Sequence, residues 1–283
     1  MKKVLFLFKC IYSHIYYRAL NYFGGSYIGC YEDSNYIISL TSYYKRFDDL
    51  YLVVESLLRQ SLKPKCVIVF LSKEDIDLYG GLPKNIEKMQ TRGVNIEICE
   101  GNYKSYKKLS YIIPFIRNDN DLEYVITADD DIFYPSKWSI QLMNKSLGKV
   151  VSCFRGHDLV RNEYGFDYNI SMKSNISGNT PSFKLLPTGC SGICYPVDSI
   201  YDDMIANFDL IEKLSPDADD IWYKGVTLSR KYKCSRVLKK NVHFPLVISS
   251  LKDSLYSDNV FNNKNSKKID DVFDFFKLND FFC

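Results

Sequence analysis

Tyr124-Val125-Ile126-Thr127-Ala128-Asp129-Asp130-Asp131-Ile132-Phe133-Tyr134-Pro135 is the stretch on which the fold turns. Residues 124–128 are short, apolar and β-prone, which is the signature of a strand buried on both faces in an α/β sheet. The run ends in three carboxylates, whose mutual repulsion suits a strand end better than a strand interior. Ligands of open α/β sheets collect at the carboxyl ends of the strands. Three hard oxygen donors there are a candidate site for Mg²⁺ or Mn²⁺, and such an ion can neutralise a departing phosphate. Taken alone, Asp-Asp-Asp is more often a solvated acidic turn. The strand before it and Pro135 after it favour the metal.

Working outward, strands and helices alternate at the spacing of parallel βαβ units. Strands are expected at 36–40, 66–71, 94–99, 124–128, 150–154 and 235–238. A helix is expected over 48–60, with Leu50, Val53, Val54, Leu57 and Leu58 on one face. A shorter one follows Pro83, and others cover 137–147 and the stretch from Leu214 to Leu228. The expected fold class is α/β, with a mixed, mainly parallel central sheet flanked by helices. Residues 155–188 lack periodicity and are too long for a simple loop, which makes them a functional excursion. The glycine-punctuated turn Gly189-Cys190-Ser191-Gly192 follows.

With 283 residues, 46% hydrophobic and 25% charged, the chain has the composition of a globular protein with an ample core. Net charge +3 gives no argument for nucleic acid. The 23 Tyr and 18 Phe suit a protein that stacks bases or sugar rings, or simply an AT-rich genome. Nine cysteines, an odd number and mostly inside apolar runs, imply a reducing, cytosolic setting. Residues 1–35 form an apolar, aromatic and basic segment too broken by Lys9, His14 and Arg18 to span a bilayer. Two readings stay open for it: a helix on the inner face of the cytoplasmic membrane, or a helix packed on the protein's own surface. The main domain is expected over 36–250, with an aromatic tail over 251–283.

Four clusters follow predicted strands. Thr41, Tyr43 and Arg46 can hold a nucleobase, ribose or phosphate, against an ordinary turn. Lys107 and Lys108 can meet a diphosphate, against a solvated lysine face. In Asp217-Ala218-Asp219-Asp220, Asp217 can cap a helix and Asp220 can take its third position. That leaves a carboxylate over, and a helix N-terminus favours its ionised form, as a general base requires. His243, one of three histidines, can offer a neutral imidazole to a metal.

Ile38-Ser39-Leu40-Thr41-Ser42-Tyr43 with Arg46, the Lys107-Lys108 segment leading to Pro114, Ile126 to Pro135 with Trp138, and Asp217 to Trp222 together resemble bacterial GT-A-fold glycosyltransferases that assemble surface polysaccharides such as O-antigen. The resemblance covers residues 36–260. It implies a Rossmann-like fold, a nucleotide-sugar donor, and a glycan or lipid-linked glycan acceptor. The family's DXD carboxylates hold the metal, a role that falls on Asp129 and Asp131, with His243 completing the site. Asp219 or Asp220 would be the base of an inverting transfer. Donor-binding positions would be Thr41, Tyr43, Arg46, Lys107, Lys108, Asp129, Asp130, Gly189 and Gly192. The chain departs from the family in having Ser105-Tyr106 where Gly-Pro precedes the lysine, and Asp219-Asp220 where Glu-Asp is usual. Alternatives are a retaining transferase and a non-catalytic glycan-binding protein of the same fold. A sugar nucleotidyltransferase would need a glycine-rich loop after the first strand, and 41–46 has no glycine.

Overall fold

A computed structural model describes residues 2–23, 29–251 and 264–282. The chain forms two compact units, 1–140 with 243–253, and 141–242 with 254–283. Residues 24–28, and residues 252–263 of the expected aromatic tail, lie outside the described residues.

In the first unit, helix α1 (Lys2–Phe23) precedes strand β1 (Tyr36–Thr41), helix α2 (Phe47–Leu58) and strand β2 (Val67–Ser72). Helices α3 (Lys73–Tyr79) and α4 (Lys84–Glu87), strand β3 (Val94–Cys99), helix α5 (Lys107–Ser110) and strand β4 (Tyr124–Ala128) follow. The four strands are parallel in the order β4-β1-β2-β3. β1 and β2 run as near-continuous apolar stretches because both faces are covered. Helix α2 supplies much of that cover through Leu50, Val53, Val54, Leu57 and Leu58, all fully buried as its spacing predicts. The chain lays β2 and β3 on one side of β1 and returns to place β4 on the other. The carboxyl ends of β1 and β4 therefore flank the point where strand order reverses, which is where α/β sheets open a crevice.

Two features go beyond the expected elements. Helix α3 was not expected: Ser72 Oγ accepts from the Asp75 N–H at 3.1 Å, and Gly80 closes the helix at φ +90°. The region after Pro83 is two short pieces, α4 and a 3-10 turn over Lys88–Arg92, rather than one helix.

The N-terminal segment forms α1, and one face of it packs on the protein's own surface. Phe6, Cys10, Ser13, His14, Tyr17 and Leu20 form its half-buried to buried stripe, spaced for one helical face. Tyr17 stacks on Phe133 with centroids 5.1 Å apart. The Leu246 N–H donates to Cys10 Sγ at 3.3 Å, and Asn21 donates to Glu55 at 3.1 Å. The helix is thus packed on its own unit, and its other face is exposed.

In the second unit, strand β5 (Val150–Cys153) pairs in parallel with Lys233–Arg236 and antiparallel with Ile193–Pro196. The last expected strand, 235–238, is found two residues earlier. The 155–188 excursion carries strand β6 (Gly156–Asp158), which pairs antiparallel with Leu185–Pro187, and a two-residue hairpin pair over 161–166. Helix Asp219–Ser229 packs on helix Lys264–Phe275 at Gly225, where a Cβ would lie 2.6 Å from Val272 Cγ1. The α/β, Rossmann-like class expected from sequence is the class observed.

Candidate functional site

In the first unit the three aspartates leave β4 and each meets a cation or a donor. Asp130, 7% exposed, accepts from Arg46 Nη1 and from Ser42 Oγ at 2.5 Å. Asp131 Oδ2 lies 3.1 Å from Arg46 Nη2, and Asp129 Oδ1 lies 3.1 Å from Lys108 Nζ. Arg46 also stacks on Tyr43, 5.3 Å from the ring centroid. Three of the predicted donor-binding residues therefore converge on the carboxylates from the end of β1 and the start of α5.

Burial dominates the electrostatics. It pushes the Asp131 carboxyl up to about 7, against Arg46 and with the help of Asp130 and Asp129. It raises Asp130 as well, against Arg46 and Ser42. Burial would lower the Arg46 guanidinium, but Asp130 and Asp131 outweigh it and its pKa is raised. Arg46 and Lys108 thus set positive charge against the three adjacent carboxylates.

Lys107 is buried and turned elsewhere. It donates to Asn102 Oδ1 at 2.9 Å and lies 3.6 Å from Asp75 Oδ2. Its pKa is lowered by burial, with Asp75 opposing. Thr41 Oγ1 donates to the Phe70 carbonyl at 2.7 Å, tying β1 to β2. The backbone under the carboxylates is pinned by Tyr134, a fully buried ring whose hydroxyl accepts from the Asp129 N–H at 2.8 Å. Sequence reading gives Tyr134 no role beyond its place in the stretch Ile126 to Pro135. Its spacing of five residues from Asp129 carries no motif.

Segment 243–247 runs antiparallel to 131–133: Ile132 bridges Leu246, Phe133 donates to Pro245, and Val247 donates to Asp131. The pairing carries the exposed His243 past residues 131–133 toward Pro135. Among the described residues no three His, Cys, Asp or Glu side chains gather as a metal site. The donor set still suits a hard cation, since Mg²⁺ commonly takes one or two carboxylates and completes its shell with phosphate oxygens and water. Cavities of about 800 and 630 Å³ in this unit do not border the aspartates.

In the second unit, helix Asp219–Ser229 begins one residue later than a cap at Asp217 requires. Its N-cap is Ala218, whose carbonyl accepts from Ser215 Oγ at 2.8 Å. Asp219 and Asp220 occupy the first turn. Asp220 Oδ1 accepts from the Gly189 N–H at 2.9 Å, so Asp220 and Gly189, both predicted, are in contact. The turn closes by a Gly192-to-Gly189 bond of 2.8 Å, with Ser191 at φ +76° and Gly192 at φ +93°. Ser191 Oγ holds the Val242 carbonyl at 2.9 Å.

Sequence reading gives no role to a buried polar group beside this turn. Arg236 is fully buried, bonds the carbonyls of Gly178 and Gly156 at 2.7 and 2.6 Å, and faces Asp158 at 3.9 Å. His157 is pulled down to about 4 by burial and by Arg155 and Arg236. Arg155 is 9% exposed, and its Nε has no hydrogen-bond partner.

No family model matches the chain. No curated protein matches it either. Solved structures give remote similarity. The chain resembles a 4-diphosphocytidyl-2C-methyl-D-erythritol synthase from Anaerococcus prevotii DSM 20548 at 14% identity and TM-score 0.45, over 75% of this chain and 90% of that one. It resembles the mannosyltransferase PcManGT from Pyrobaculum calidifontis, in complex with GDP-Man and Mn²⁺, at 12% identity and TM-score 0.42, over 86% and 66%. It resembles TarS 1-349 of S. aureus in complex with UDP at 14% identity and TM-score 0.42, over 74% and 59%.

Proposed function

We propose that the chain is a metal-dependent glycosyltransferase that moves a sugar from a nucleotide-sugar donor to a growing bacterial cell-surface glycan with inversion. The observation that carries this is the convergence of Asp129, Asp130 and Asp131 with Arg46 and Lys108 where strand order reverses. A nucleoside diphosphate and its divalent ion are a ligand that such a mixed acidic and basic set can hold. Asp129 and Asp131 would ligate Mn²⁺ or Mg²⁺, with His243 as a further candidate; the bound ion supplies charge to the leaving diphosphate.

On that reading Lys108, 3.1 Å from Asp129 Oδ1, would offer its charge to a phosphate oxygen of the donor. Arg46 pairs with the buried Asp130 and, with Tyr43, borders the nucleotide. The buried Lys107 holds Asp75 and orients α5 for its neighbour. Thr41 contributes by fixing the end of β1, and Gly189 and Gly192 shape the turn that Asp220 supports. Asp220 takes the proton of the acceptor hydroxyl, and the hydroxyl oxygen attacks the anomeric carbon as the diphosphate leaves. A lipid-linked acceptor would put the reaction at the inner face of the cytoplasmic membrane. The Gly189 contact favours one variant, in which Asp220 shapes the turn and Asp219 takes the proton.

Thermal unfolding with UDP- and GDP-sugars, with and without Mn²⁺, tests the proposal. One donor should raise the melting temperature only when Mn²⁺ is present, by linkage to binding. The proposal fails if no nucleotide sugar shifts it.

A further inference from the structure

Helix α1 has 22 residues and not one Asp or Glu among them. Its inner stripe is spent on its own unit. The outer face carries Phe8 (64% exposed), Tyr12, Ile15, Tyr22 and Phe23, the last two 82% exposed. Lys3, Lys9 and Arg18 are exposed on the same helix. No described helix is long and apolar enough to cross a membrane. An apolar, aromatic face bordered by cations and too short in apolar length to span is the composition of an element lying in a headgroup layer.

A second observation lies at its last turn. A cavity of about 800 Å³ is bordered by Asn21 and Tyr22 of α1 and by Lys84 and Lys88, with no Asp or Glu in its lining. Lys84 and Lys88 are four residues apart, both exposed, and neither forms an ion pair among the described residues; Arg92, also in the lining, is held by Glu55 at 2.6 Å. The cavity therefore offers two uncommitted cations beside exposed aromatic rings.

We propose that the outer face of α1 docks on an anionic bilayer surface, with a lipid phosphate entering the Lys84–Lys88 cavity. Charge complementarity selects this occupant: a neutral protein surface would gain nothing from the lysines, and a second copy would bring like charges together. The proposal does not depend on the reaction the chain performs.

The test is flotation of the full chain with vesicles of phosphatidylcholine alone and of phosphatidylcholine mixed with phosphatidylglycerol. The chain should float with the mixed vesicles and not with the neutral ones, and added salt should weaken the binding. Phe8→Glu with Tyr12→Glu, and separately Lys84→Glu with Lys88→Glu, should each lower partitioning roughly tenfold or more. These side chains point away from the core, so melting temperatures should match the parent. Equal flotation of parent and variants overturns the proposal, as does equal binding to both vesicle types. A parent dimer in vesicle-free solution that Phe8→Glu with Tyr12→Glu dissolves also overturns it, and assigns the face to a second copy.

Discussion

Asp130 and Arg46 show how a single residue can be misjudged from sequence. Arg46 looks like a phosphate ligand in a polar turn, and it is also the counter-ion that allows Asp130 to be buried. Arg46→Met should strand that carboxylate and cost roughly 3–5 kcal/mol, as breaking a buried pair does; urea unfolding measures it. Asp131→Ala leaves the Asp130 pair in place, so the fold should hold. Calorimetric titration of Mn²⁺ in the presence of UDP or GDP should then show metal-dependent binding abolished, and an unchanged affinity would remove Asp131 from the site. Asp220→Asn keeps an acceptor for the Gly189 N–H, so its stability cost should be about 1 kcal/mol or less. Its transfer rate should fall ~10²–10⁴-fold, because the amide has no useful basicity. Full turnover in Asp220→Asn with loss in Asp219→Asn would move the base by one residue. His157 supplies a pH dependence. Its pKa of about 4 in the fold lies below the 6.5 of a free imidazole, so the unfolded chain binds the extra proton first. The stability it confers is complete above about 6.5 and is lost as pH falls toward 4, on the order of 3 kcal/mol at most. In His157→Gln that part of the acid slope should flatten.

Elements were legible where their apolar period was long, and not where a few polar contacts made them. α2 and the strands β1 to β4 announce themselves because each must bury a continuous face. α3 buries little beyond Asp75, and its signals are two end residues, Ser72 and Gly80, easily passed over between strands. Ser72→Ala should cost about 1 kcal/mol and fray α3 first, seen as faster amide exchange over 73–79. Asp217 is the obvious cap by composition, but the helix starts at Asp219 behind Ala218, with no side-chain cap. Gly225 had no visible purpose in the sequence. Its missing side chain admits Val272 and Phe276 to the helix surface, so Gly225→Ala should destabilise by roughly 1–3 kcal/mol through overpacking, despite its better helix propensity. Thermal unfolding gives the sign.

For the whole molecule, the alternation of strands and helices in a mainly parallel sheet followed from the spacing of apolar runs, and so did the placing of Asp129, Asp130 and Asp131 at a strand end. The counter-ions did not follow, since Arg46 and Asp130 stand 84 residues apart. The buried group of Arg155, His157, Asp158 and Arg236 was equally hidden, because it draws on β6 and on the strand Lys233–Arg236. Such charges look like surface residues until the fold encloses them. The N-terminal helix packs on its own unit along one face, which is one of the two readings its sequence leaves open, and its other face is exposed.

Tyr134 gives that helix a further meaning. Its hydroxyl accepts the Asp129 N–H, while its carbonyl accepts the Tyr17 hydroxyl of α1 at 3.1 Å. One buried ring therefore carries the backbone of the first aspartate on one end and an anchor of the outward-facing helix on the other. A ligand that settles the aspartates should therefore also settle the seat of α1, and thermodynamic reciprocity would make the effect run both ways. A nucleoside diphosphate with Mn²⁺ should tighten vesicle binding, and anionic vesicles should tighten nucleotide binding by the same factor. Tyr17→Phe, which removes the hydroxyl while keeping the ring on Phe133, should uncouple the two without abolishing either. On the proposed function, transfer would then run fastest where a lipid-linked acceptor is anchored.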